Sequence, residues 1–274
     1  MASSCIRGGC CYLWGPLSSA PCLIRAIPGF FEPIASLSHL AAAAVGLVGA
    51  VPLLRHGRGS RGRFASVLVY AISVVALLTI SGTYHSLQGG GSARHTWRRL
   101  DYSAIWLLIA GTFTAIHGVM HRGRWRSWML VAIWTLAATC GLLQAFWFEL
   151  FSGPAGLLLY LGLGWVGILS IIKVGRQLGF LKVWPMWAAG IVYSAGAILE
   201  AKRLPTLVTG WIGPHEVFHI AVITGIVLHW IFVRQVVTVF APSPALAGLA
   251  TLSPGVVPAD RVEMVVPSEM DVLG

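Results

Sequence analysis

A chain of 274 residues that is 57% hydrophobic and only 10% charged, with 12 tryptophans and 32 glycines, is too apolar to be a soluble globular domain. Its net charge of +10 would suggest nucleic acid in a soluble protein, but the basic residues sit in short segments between apolar runs, where lipid phosphate is the partner and no soluble surface exists for a nucleic acid. Composition therefore predicts an all-α, polytopic membrane protein whose partners are membrane lipids; it names no protein partner.

In chain order, residues 1–31 come first. They carry Cys5, Cys10, Cys11 and Cys22 without a pair of CxxC motifs or a disulfide-framework spacing, and they lack the unbroken apolar core of a cleaved signal peptide. They read as a leader or juxtamembrane segment. Residues 32–240 form the membrane domain. Runs of about 20 apolar residues suit single crossings of a bilayer. They fall at Ile34 to Leu54, Phe64 to His85, Tyr102 to Met120, Trp128 to Phe148, Ala155 to Ile172, Val183 to Glu200 and His215 to Phe240. The pattern predicts a seven-transmembrane-helix bundle in the cell membrane. Abundant glycine and alanine fit close helix packing, since small residues let backbones approach where lipid removes the usual hydrophobic drive. Residues 241–274, with Pro242, Pro244, Pro254, Pro258 and Pro267 and four of the nine acids, read as a flexible tail.

Seven spans alternate in direction, so the start of the first, the end of the second, the start of the third, the ends of the fourth and sixth, and the start of the seventh share one membrane side. The five acidic residues that precede the tail are Glu32, Asp101, Glu149, Glu200 and Glu216, and all fall there. So do His39, Ser81, His85, His215 and His219. His229 lies ten residues beyond His219, about 15 Å along a helix, and so near mid-membrane, where hydrogen bonding within the bundle is expected. His117 belongs by the same count to the opposite side, in an interfacial position. His56, His95 and His121 fall in loops and are expected to be solvated.

Ionisable groups in apolar spans are costly and are functional candidates for that reason. A lone histidine at a helix end is commonly just interfacial, but His215 and His219 stand four apart and share a helix face. A catalytic zinc site needs three protein ligands and an open position, and His85 supplies a third imidazole at matching depth. Zinc (Zn2+) lowers the pKa of water from 15.7 to about 7. Asp101, at the mouth of the third span, is then placed to accept a proton. Ser81, one turn before His85, is placed to give a supporting hydrogen bond or to help bind a substrate oxygen.

The order Ser81-x-x-x-His85, Leu100-Asp101-Tyr102-Ser103 and His215-x-x-x-His219 resembles the hemolysin III family, the bacterial branch of the progestin and adipoQ receptor proteins. The run from Phe31-Glu32 to Ser38-His39 is similar to the first-helix signature of that family, and the likeness spans roughly Glu32 to Arg234. The resemblance implies a seven-helix bundle with zinc held by His85, His215 and His219, and Asp101 as the water-binding acid. It also implies membership of a wider superfamily with alkaline ceramidases, hence a zinc-dependent hydrolase acting on a lipid amide.

Three other functions compete. His215-Glu216-x-x-His219 carries the lettering of a zincin, in which the glutamate is general base. An intramembrane metalloprotease normally takes a third ligand downstream, however, and the acids there lie in a tail that emerges on the other side. A receptor in which zinc only ties helices together would use the same ligands. An ion transporter predicts acids at mid-bilayer, and the sequence has none there. Ten basic residues lie in loops opposite the site and seven on its own side, which favours a cytoplasmic C-terminus. A reporter fused after Phe240 should therefore read cytoplasmic, whereas a periplasmic signal would invert the orientation.

Overall fold

Proline opens the first turn of four helices, at Pro33, Pro154, Pro185 and Pro214, where its missing N–H leaves nothing unsatisfied and its fixed φ is already helical. The computed structural model describes residues 25–121, 123–151 and 154–240. Residues 1–24 and 241–274, and with them four of the cysteines and the expected tail, lie outside the described residues. The described elements are α1 (Pro33–Gly57), α2 (Arg61–Ser86), α3 (Ser92–Met120), α4 (Gly123–Phe146), the single turn α5 (Phe148–Phe151), α6 (Pro154–Leu178), a 3-10 turn (Phe180–Val183), α7 (Trp184–Ala201) and α8 (Pro214–Val239).

The chain is an all-α, multi-pass membrane protein. Among the described residues, six helices are long and apolar enough to cross a bilayer. The seventh long helix, α7, has 18 residues and so spans about 27 Å; Pro185, Gly190, Gly196 and the terminal Glu200 dilute its apolar character. The expected spans match the helices to within a few residues except at α3, which begins ten residues before Tyr102. An apolar window cannot see that extension, because its first turns carry Arg94, Arg98 and Arg99. Asp101 consequently lies in the third turn of α3, not at its mouth.

Short connections make successive helices antiparallel, and α3 becomes the central element. It contributes to all three apolar clusters: with α1, α2 and α8 around Tyr70 and Val233, with α6, α7 and α8 around Val174 and Phe232, and with α4 and α6 around Trp106 and Ile133. Two-thirds (67%) of its most apolar window is buried, against 17% for α4, whose other faces meet lipid. α8 packs against α1, α3 and α7, so the beginnings of α1 and α8 and the ends of α2 and α7 meet at one end of the bundle.

Close packing depends on missing side chains. A Cβ built at Gly196 would lie 2.5 Å from the Cβ of Ala221 on α8, whereas one at Gly162 on α6 would meet nothing within 4 Å. Gly196→Ala should therefore lower the thermal midpoint of the detergent-purified protein, since overpacking costs about 1–3 kcal/mol. Gly162→Ala should leave it unchanged or slightly higher, because alanine is the better helix former.

Candidate metal centre

Two helices deliver the histidines. His85 comes from the last turn of α2, and His215 and His219 come from the first two turns of α8. Their ring centroids form a triangle with sides of 4.5, 4.6 and 5.0 Å. The Nε2 atoms of His215 and His219 are 2.9 Å apart, and one ligating nitrogen from each of the three residues falls within 4.8 Å of the others. Tetrahedral zinc with bonds of 2.0–2.1 Å sets its nitrogens about 3.3 Å apart, within that spread. The three residues fit a metal ion.

The far side of each imidazole has its own neighbour. His85 Nδ1 bonds Glu32 Oε2. The other carboxylate oxygen of Glu32 accepts from Arg94 at 2.8 Å, and all three groups are buried. Burial alone would raise the Glu32 pKa, but the His85 hydrogen bond and the charges of His85, His215 and Arg94 bring it down to about 2. An ionised carboxylate only accepts, so Nδ1–H of His85 is the donor and Nε2 keeps its lone pair for a metal. His219 Nδ1 lies 2.8 Å from Nε2 of His39. His215 Nδ1 faces Glu200 Oε1 at 3.4 Å. Partners of this kind orient ligating imidazoles and fix their tautomers.

The polar partners are themselves anchored. The N–H groups of Phe31 and Glu32 donate to the carbonyls of Ser86 and His85, and Ser36 Oγ donates to Gly82 O at 2.7 Å, so the head of α1 is stitched to the foot of α2. Arg94 is held over the rings of Phe31 and Tyr84, 4.7 Å from each centroid, and donates to the carbonyl of Leu87.

Beside the histidines lies a cavity of about 230 Å³ whose wall includes His39, Ser81, Asp101, Glu200, His215 and His219. Asp101 and Ser81 line this chamber together, with the Ser81 hydroxyl close to the Asp101 carboxylate. Ser81, Asp101, His85, His215 and His219 are thus brought together, as the sequence predicts. Glu32, His39 and Glu200 were placed on the correct side without roles, and they turn out to be the partners of the three histidines. The available signal was their cost: a carboxylate beside an apolar span needs a cation or donor, but Arg94 is 62 residues from Glu32 and only folding pairs them.

Other expectations are corrected. Glu216 is buried and accepts the Gly213 N–H at Oε2, 2.8 Å away; it caps α8, as an acid in a first helical turn does. Glu149 lies in the single turn α5 and is exposed. His117 stands in the last turn of α3, as expected, but is fully buried in the bundle, where its Nε2 bonds Ser170 Oγ at 2.8 Å. His121 is buried too, stacked on His117, and not solvated. His229 makes no hydrogen bond among the described residues and lines a second cavity.

A sequence model of haemolysin-III-related proteins matches residues 31–230. The chain belongs to that family. It is 30% identical to Hemolysin-3 of Bacillus cereus over 198 residues, 71% of this chain and 86% of that one. It is 28% identical to the Hemolysin-3 homolog of Bacillus subtilis (strain 168) over 152 residues, 54% of this chain and 68% of that one. The matched region begins at Phe31, so it takes in Glu32 and His39 together with the three histidines.

Because Glu32 fixes the His85 ring from behind, Glu32→Gln is expected to weaken metal binding by about ten- to a hundredfold, read by competition with a chromogenic chelator. Unchanged affinity would reduce Glu32 to a tie between helices.

Proposed function

We propose that this haemolysin-III-related protein is a zinc-dependent membrane hydrolase that cleaves a lipid amide, with His85, His215 and His219 as the metal ligands. The observation that carries the reading is the composition of the chamber: paired Asp101 and Ser81 share its wall with His215 and His219, and it adjoins a long apolar cavity.

That second cavity, about 180 Å³, lies between α3, α6, α7 and α8. The two share walls at Leu77, Ile105, Leu157, Tyr160, Phe218 and Val222. A polar head at the histidines with an acyl chain running into apolar walls matches a lipid amide: reacting bond at one end, buried hydrocarbon at the other.

Zinc at such a site supplies Lewis acidity and brings the pKa of water at its open position to about 7. The chain's own residues supply the rest. Asp101 accepts the proton released as water attacks the amide carbon, then returns it to the departing nitrogen, so the C–N bond breaks to a carboxylic acid and an amine, which part as carboxylate and ammonium once the acid proton passes to the amine. Ser81 donates to Asp101 and keeps that carboxylate turned toward the chamber. Glu32, Glu200 and His39 hold the three imidazoles against rotation. The walls exclude water from the chain, which strengthens electrostatic interactions at the reacting bond.

The test combines metal analysis with turnover. Detergent-purified protein should contain about one zinc per chain, lost in both His85→Ala and His219→Ala and removed by chelation. Incubated with a panel of ceramides and other acyl amides, the parent should release fatty acid. Asp101→Ala should keep its zinc while losing turnover by about a hundredfold or more, the usual weight of a general base. Full turnover in Asp101→Ala would remove the proton role. Zinc without turnover on any lipid amide would leave a structural metal in a receptor.

A further inference from the structure

The apolar cavity between α3, α6, α7 and α8 carries two polar groups that nothing in the fold uses. Most hydrogen-bonding side chains on its wall are already engaged: Thr112 donates to Leu108 O, Ser170 bonds His117, Ser194 donates to Gly190 O and accepts from Trp165, and Tyr160 donates to Tyr102 O. Tyr193 and His229 differ. The Tyr193 hydroxyl is buried without a partner, and the His229 imidazole makes no hydrogen bond among the described residues. Both line the cavity, and their ring centroids are 5.6 Å apart.

Their placement is built. Gly225, one turn before His229 on α8, has no side chain where a Cβ would come within 2.4 Å of Tyr193 Cζ; its absence lets the phenol lie against α8 near the imidazole. A second phenol, that of Tyr70, is also buried without a partner. In a membrane interior, unpaired polar groups are costly and rare, and they mark sites where something polar is received.

His229 lies ten residues beyond His219, about 15 Å deeper along the axis of α8. A lipid with its head at the histidine cluster would therefore bring the middle of its chain, not its end, to Tyr193 and His229. A plain methylene there leaves both groups unpaired. A hydroxyl satisfies both, accepting from the Tyr193 O–H and donating to a nitrogen of His229.

We propose that Tyr193 and His229 form a mid-membrane subsite that selects lipids carrying a hydroxyl in the middle of the acyl chain. The inference takes its occupant, a lipid with an acyl chain, from the proposed function, but it concerns binding alone.

Oleate and its mid-chain-hydroxylated counterpart ricinoleate are the probes, titrated calorimetrically into the detergent-purified full chain. The parent should bind ricinoleate about tenfold more tightly, the factor a buried hydrogen bond supplies. His229→Phe and Tyr193→Phe keep the rings and remove the hydrogen bonds, so each should bring the ratio close to one while oleate affinity and metal content stay at parent values. Equal affinity for the two lipids in the parent, or a preference that survives in both variants, overturns the proposal. Should His229→Phe not fold, Tyr193→Phe decides. Failure to cleave any amide would sink the hydrolase reading yet leave this ratio intact, and turnover with no ricinoleate preference would do the reverse.

Discussion

The arrangement at the site end depends on one buried carboxylate. Glu32 sits where α1, α2 and α3 converge, bonded on one side to His85 and on the other to Arg94. A lone carboxylate there would carry a desolvation penalty of several kcal/mol, and so would a lone guanidinium. Each is tolerable because the other is present, and because Arg94 also donates to α2 carbonyls and lies over two aromatic rings. The charged pair therefore sets how the three helices meet. One product of that meeting is an imidazole that cannot turn away from the site.

The same economy recurs along the bundle. Small residues allow α7 to approach α8 and admit Tyr193 against the α8 backbone, while bulky apolar residues fill the rest of the interior. Where filling stops, space remains: a chamber beside the histidines, whose walls are apolar apart from a few ionisable groups, and a second apolar cavity beyond it. Both border α3, the helix that touches all three apolar clusters. Site and cavity are thus two consequences of one packing arrangement, and Ile105 on α3, one turn beyond Asp101, lines both.

Much of this was legible in the residues. Apolar run lengths gave the helices because a membrane demands them, and α7 was marked despite its short and diluted apolar stretch. Alternation of direction put His85, Asp101, His215 and His219 at one end before any coordinates, because helix direction is fixed by counting. Counting could not reveal partners. Glu32, His39 and Glu200 carried no spacing relation to the histidines they support, and Glu216 carried the spacing of a protease motif while serving as a helix cap. The start of α3 was misjudged because hydropathy records where a helix enters lipid, not where its hydrogen bonding begins. The burial of His121 and the surroundings of His117 and His229 were not legible, because position along a chain or an axis says nothing about which neighbour, if any, lies across from a side chain.

By itself the sequence determined the membrane class, the helices and their order, and the end of the bundle at which the ionisable residues gather, since these follow from hydrophobicity and chain direction, which are local or additive properties. The tertiary structure alone decided which nitrogen of His85 is held by a carboxylate, what Glu216 does, and where cavities remain. Those depend on contacts between residues as many as 180 positions apart, such as His39 and His219, and hydrogen-bond pairing and void space exist only once side chains from separate helices share one volume.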